Sequence, residues 1–205
     1  MLPNDHNSAT ALGRLVVGSA ARPMPGETVS GDAWLVEQGV DWAVIAVIDG
    51  LGHGPDAHLA AMRAYAAMQT HVALAPTHMM QQAHQATLGT RGVVAAIFRF
   101  DYGARMVHFV GVGNIAVQVV SRPPFRPISR NGTVGYRLPP LFEQHAPLAS
   151  GDLFVVCSDG IAPRFVGDKL LQAGLPPQTL ADHLLQTYGK ATDDATALIV
   201  QFQYP

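Results

Sequence analysis

The chain has 205 residues, 48% of them hydrophobic and 14% charged, with a formal net charge of −2. That balance describes one globular domain with a buried core, spanning residues 1–205, and excludes a disordered chain. It gives no electrostatic reason to expect nucleic acid or an anionic membrane as a partner, and no apolar run approaches the roughly 18 residues of a membrane span.

The N-terminus, "MLPNDHNSATALGRLVVGSAARP", carries Asp5 and His6 early and Arg14 within its apolar part. It does not read as a secretory signal, so a cytoplasmic protein is expected. "RLVVGSA" and "AWLVEQGVDWAVIAVID" read as strands, the second a hairpin turned at Gln38-Gly39. From Gly54 to about Leu74 the pattern is helical, with Pro55 at the first turn and Asp56 near the positive end of the dipole. A second helix is expected from Pro76 to Leu88. "GVVAAIFRFD", "RMVHFVGVG" and "IAVQVVSR" then suggest an antiparallel meander with tight turns at Tyr102-Gly103 and Gly113-Asn114. Pro123 to Pro140, with five prolines, reads as a long ordered loop. "DLFVVCSD" is a buried strand, "PPQTLADHLLQTYG" a helix and "ATALIVQFQY" a final strand. The only cysteine, Cys157, rules out an internal disulfide and reads as a small buried hydrophobe. Antiparallel strand groups with helices between them indicate an α+β fold.

The chain has 12 Asp against 3 Glu. Asp32 in "SGDAWL", Asp49 in "VIDGLG", Asp159 in "CSDGIA" and Asp193-Asp194 in "ATDDATALIV" all adjoin apolar runs. Taken singly, each fits a turn or a cap. Together they sit at strand ends, which converge on one edge of a sheet. Carboxylates gathered there repel one another unless cations neutralise them. Short, stiff oxygen donors suit Mg²⁺ or Mn²⁺, and no Cys or His pair at zinc spacing is present. "GVGN" is not followed by a helical pattern, so it reads as a hairpin turn and not as a dinucleotide loop.

The order "SGD", "DGLGHG" opening a helix, "GVGN", "SDG" and "DDATALIV" resembles the PPM (PP2C-like) metal-dependent serine/threonine phosphatases, in particular the small bacterial SpoIIE/RsbX branch. The resemblance runs from about Gly26 to Phe202. It implies a PP2C-like sandwich of two antiparallel β-sheets flanked by α-helices, with a two-metal centre of Mn²⁺ or Mg²⁺ at one edge. Carried over residue by residue, it implies Asp49 as the bridging ligand that positions the nucleophilic water, and the Gly50 carbonyl as a ligand. It further implies Asp32, Asp159 and Asp193 as ligands, with Asp194 as the alternative to Asp193. Two cations about 3.5–4 Å apart activate water and clamp phosphoryl oxygens, so no protein nucleophile is needed. Larger relatives place a histidine where this chain has Leu51. His53 follows two residues later, and its favoured reading is a helix-start side chain bonded to backbone.

Residues 121–141 hold Arg122, Arg126, Arg130 and Arg137, four of eleven arginines, and no acidic residue. Arg126 and Arg130 are candidate substrate contacts, because guanidinium forks suit phosphate and carboxylate. The expected activity is phosphoserine/phosphothreonine protein phosphatase. By the resemblance to the RsbX type, its partners are phosphorylated STAS-domain proteins of a bacterial stress-signalling complex. The motifs leave about 25 residues before them, too few for a sensor domain, so selectivity should lie around the metal site. The alternatives are a non-catalytic relative that binds a regulatory partner and, less well supported, a nucleotide-binding regulator.

Overall fold

A computed structural model describes residues 13–204. Residues 1–12, which carry most of the reading of the N-terminus, lie outside them. In chain order the elements are β1 (Arg14–Arg22), β2 (Asp32–Gln38), β3 (Trp42–Gly50), α1 (Gly54–Thr70), α2 (Pro76–Thr87), β4 (Val93–Asp101), β5 (Met106–Val112), β6 (Ala116–Val120), β7 (Gln144–Pro147), β8 (Leu153–Cys157), α3 (Pro177–Tyr188) and β9 (Ala195–Gln203). Two short 3-10 turns, Pro163–Gly167 and Lys169–Gln172, precede α3.

The strands form two antiparallel sheets, one ordered β1-β9-β8-β6 and the other β2-β3-β4-β5-β7. β3 shows why the run from Trp42 to Ile48 is continuously apolar. Side chains alternate across a strand, and both faces of this one are covered. Ala43, Ile45 and Val47 enter the core between the sheets with Phe98, Phe100, Phe154 and Val200. Val44, Ala46 and Ile48 face the helices, against Ala60, Ala61, Ala64, Met68 and Met80. Four alanines at helical spacing, Ala57, Ala60, Ala61 and Ala64, let α1 lie close on the sheet. Between the sheets, Phe154 meets Phe98 and Phe100 edge-on at 5.3 and 4.9 Å between ring centroids. α3 covers the outer face of the four-stranded sheet through Leu180, Ala181 and Leu184. The order of layers is therefore helix, sheet, sheet, helix, the expected PP2C-like sandwich. Among the described residues no helix is long and apolar enough to cross a membrane.

Two expectations are corrected. β4 and β5 form the expected hairpin, but β6 does not continue a meander. Its partner is β8, in the opposite sheet, so Gly113-Asn114 carries the chain across the sandwich and is not a hairpin turn. An apolar run is equally satisfied at either sheet, and only packing of residues such as Ile115 and Val119 selects one. The loop after β6 is ordered as expected, held by isolated bridges Val93–Val134 and Val112–Arg130. Beyond it lies β7, a strand of sequence "QHAP". It is too short and too polar to show a strand pattern, and Pro147 suits an edge strand.

Candidate metal centre

The strand register brings the aspartates together. Asp32 opens β2 opposite Asp49 near the end of β3, in direct cross-strand register. Side chains so placed have Cβ atoms about 5 Å apart, and like charges there repel. Asp159 follows β8 and Asp193-Asp194 precede β9, and these two strands pair as neighbours in the other sheet. The Ser158 hydroxyl joins the two sheets, donating to Asp32 Oδ2 at 2.6 Å while accepting from Thr196 N at 3.0 Å.

The electrostatics reflect this crowding. Burial pushes the Asp32 carboxyl up to about 7, against the stabilising hydroxyls of Ser158 and Thr196, with Asp194 and Asp193 adding repulsion. Asp49 is pushed up to about 8, first by burial and then by the charges of Asp32, Asp159, Asp193 and Asp194. Asp193 is raised in the same sense, by burial and by Asp159 beside it. The Thr196 hydroxyl is fully buried beside Asp32 and makes no well-formed hydrogen bond.

Asp193 and Asp194 differ in surroundings. Asp194 is 3% exposed and accepts backbone N–H bonds on both oxygens, from Met24 at 2.8 Å and Gly31 at 2.9 Å. It pins the segment that leads into Asp32. Asp193 is only half-buried and turns toward Asp159. The Arg22 guanidinium holds the loop behind it, donating to the carbonyls of Lys190 and Asp193.

Gly50 is buried where α1 crosses the end of β3. A Cβ on it would sit 2.2 Å from the Ala57 carbonyl oxygen, so no side chain fits. The turn that follows has positive φ at Gly52 and Gly54, +89° and +73°, which glycine adopts without strain. His53 between them is bonded to a side chain and not to backbone: its Nδ1 lies 2.6 Å from Glu27 Oε1. Asn114, read only as a turn residue, donates to Asp159 Oδ2 at 2.9 Å. Ser158, Thr196, Asn114 and Arg22 had no signal of their own in the sequence; each acts through a residue distant in the chain. The two candidate arginines are not together. Arg130 lines a groove with Phe142, whereas Arg126 lies in another with β6 residues Val117–Val119 and Val166.

The donors are short carboxylates and a backbone carbonyl, without histidine or cysteine, a set that suits hard divalent cations. Among the described residues no three acidic, histidine or cysteine side chains are closed round one point as a finished cage. The buried, mutually repelling carboxyls nevertheless fit cation binding at this end of the sandwich.

The model of a family described as stage II sporulation protein E, SpoIIE, matches residues 41–203. The chain belongs to the SpoIIE family. No curated protein matches this family member by sequence. Among solved structures, a chain from the bacterial stressosome, described as a modular system adapted to control secondary messenger signalling, is 34% identical. It superposes with a TM-score of 0.87 over 92% of this SpoIIE-family chain and 100% of its own. RsbX in complex with magnesium is 18% identical, with a TM-score of 0.81 over 92% and 96% of the two chains. The PP2C phosphatase domain of SpoIIE from Bacillus subtilis is 21% identical, with a TM-score of 0.77 over 94% of this chain and 64% of that one. The last two likenesses establish the PP2C-like fold.

Proposed function

We propose that this SpoIIE-family chain is an active, metal-dependent phosphoserine/phosphothreonine protein phosphatase. The observation that carries the reading is the meeting of Asp32, Asp49, Asp159 and Asp193 at one end of the sandwich, with the first two raised to about 7 and 8. A carboxylate set this unfavourable by itself is consistent with cation binding. Asp32, Asp49, Asp159, Asp193 and the Gly50 carbonyl would hold Mn²⁺ or Mg²⁺, as two ions. Asp194, with both oxygens committed to backbone N–H groups, is assigned to structure. When bound, the cations would supply activation of water and neutralise charge on the phosphoryl group.

The chain's own residues then have distinct roles. Asp49 orients the attacking water, and Ser158 orients Asp32. Asn114 holds Asp159, and Arg22 fixes the loop that carries Asp193. No protein nucleophile is invoked: Cys157 is fully buried and its thiol is pushed up by burial. The complete set of acids argues against the non-catalytic alternative, since a silent relative would be expected to lose a ligand.

As substrates we assign phosphorylated STAS-domain proteins of a stress-signalling complex, acted on in the cytoplasm. This is supported by the RsbX-type resemblance and by the 34% identity to a stressosome chain. The test is phosphate release from a phosphoserine STAS protein and from p-nitrophenyl phosphate, with and without Mn²⁺. Release from both that depends on the cation supports the reading. Hydrolysis of neither would leave a binding module.

A further inference from the structure

A groove of about 680 Å³ lies beside the centre, lined by Ile128, Ser129, Arg130, Asn131, Pro139, Pro140 and Phe142. Its position follows from the sheet. β3 ends at Gly50, opposite the start of β4 at Val93, and the Val112 end of β5 lies next along the same edge. The loop is fastened to these strand ends. Val134 exchanges backbone bonds with Val93, and Arg130 is bonded through N to Gly111 O and through O to Gly113 N. Residue 114, next in the chain, is the Asn that holds Asp159. Arg130, on the far side of β5, therefore lies three strand spacings from Asp49, about 14 Å.

Its lining is both apolar and cationic. Ile128 and Phe142 are 69% and 51% exposed, and the Arg130 guanidinium lies 5.3 Å over the Phe142 ring. Arg130 is exposed, and among the described residues it is in no ion pair. Aromatic, proline and arginine side chains on a backbone already fixed by bridges are the composition of a protein-recognition surface.

We propose that this groove docks the part of the substrate that flanks its phosphorylated residue: an acidic segment with one bulky apolar side chain. The apolar side chain sits on Phe142 and Ile128, and the carboxylates meet Arg130. At about 3.3 Å per extended residue, the anchor lies about three to five residues from the phosphorylated position. This rests on the phosphatase reading for the site, but binding can be measured apart from turnover.

The experiment uses fluorescent phosphoserine peptides flanked by Glu, with Leu four residues before or after the phosphoserine, and controls with Gly and Lys at those places. Binding is measured by polarisation to the full chain carrying Asp49→Asn. Hydrolysis of peptides and of p-nitrophenyl phosphate is measured in the otherwise unaltered chain. One Leu/Glu peptide should bind at least about tenfold tighter than its control, the scale of one anchor. Phe142→Ser or Arg130→Gln should remove most of that preference and leave kcat/KM for p-nitrophenyl phosphate within about twofold. Arg126→Gln, in the other groove, should leave the preference intact. Equal binding of all peptides, or a preference that survives both variants, overturns the proposal, as does a loss caused by Arg126→Gln alone. A preference without Mn²⁺-dependent hydrolysis of any ester would overturn the phosphatase reading and keep the groove.

Discussion

Asp49 carries opposite consequences for stability and for activity. Its carboxyl titrates near 3.8 when free and at about 8 in the folded chain. The folded state therefore keeps a proton that the unfolded state has lost. Stability from this group is fully present below about pH 4 and falls as the pH rises toward 8. Cation-free protein should melt several degrees lower at pH 8.5 than at pH 5.5, and Asp49→Asn should flatten that slope by about half or more. The same variant should lose turnover by orders of magnitude with its circular dichroism unchanged. Unfolding of Asp49→Asn would mean the carboxylate serves the turn. The two late aspartates should separate in the same assays. Asp194→Asn places an amide donor against backbone N–H groups and should cost about 1–3 kcal/mol. Asp193→Asn should melt unchanged or higher and bind Mn²⁺ more weakly by calorimetry. Cys157→Ser should retain activity and lose about 1 kcal/mol, because a buried hydroxyl replaces a packed thiol.

At the scale of elements, the site depends on α1 lying hard against the end of β3. Gly50→Ala puts a methyl group 2.2 Å from the Ala57 carbonyl oxygen, so the helix must lift. Overpacking of this kind costs about 1–3 kcal/mol, and here it should also abolish Mn²⁺ binding because it displaces a proposed ligand. Gly89→Ala is the control. It has positive φ, +77°, but nothing within 4 Å, so it should cost only about 1 kcal/mol and leave Mn²⁺ binding unchanged. Chemical denaturation and calorimetric titration of the pair distinguish a strained turn from a displaced helix.

At the scale of the whole molecule, the proposed ligands come from both sheets, so cation binding should stabilise the sandwich as a unit. A saturating cation at about 100 times its Kd adds about 2.7 kcal/mol. Phosphatase activity should vanish with a chelator and return with Mn²⁺ or Mg²⁺, and the melting temperature should fall and recover in parallel. The recovery should be larger at pH 8.5 than at pH 5.5, where protons already relieve part of the repulsion. Full activity in chelator would end the metal-centre reading.

The sequence by itself determined the α+β class, the helices, most strands and the identity of the gathered acids. Those features are written in short-range periodicity and in residue types whose chemistry is the same in any context. That both faces of β3 are covered was seen only in the packing. The sequence did not determine which sheet takes β6, because an apolar strand is satisfied by any apolar neighbour. Nor did it show β7, whose pairing with β5 gives "QHAP" its strand conformation. The choice between Asp193 and Asp194 has the same origin. Adjacent in sequence and chemically identical, they differ only in that Met24 and Gly31, far away in the chain, present two N–H groups to Asp194. Arg126 and Arg130 likewise looked like one basic stretch, and the tertiary fold puts them in separate grooves because Arg130 is bonded to the end of β5 while Arg126 lies along β6. Contacts between residues distant in the chain decide all of these, and local pattern carries no record of them.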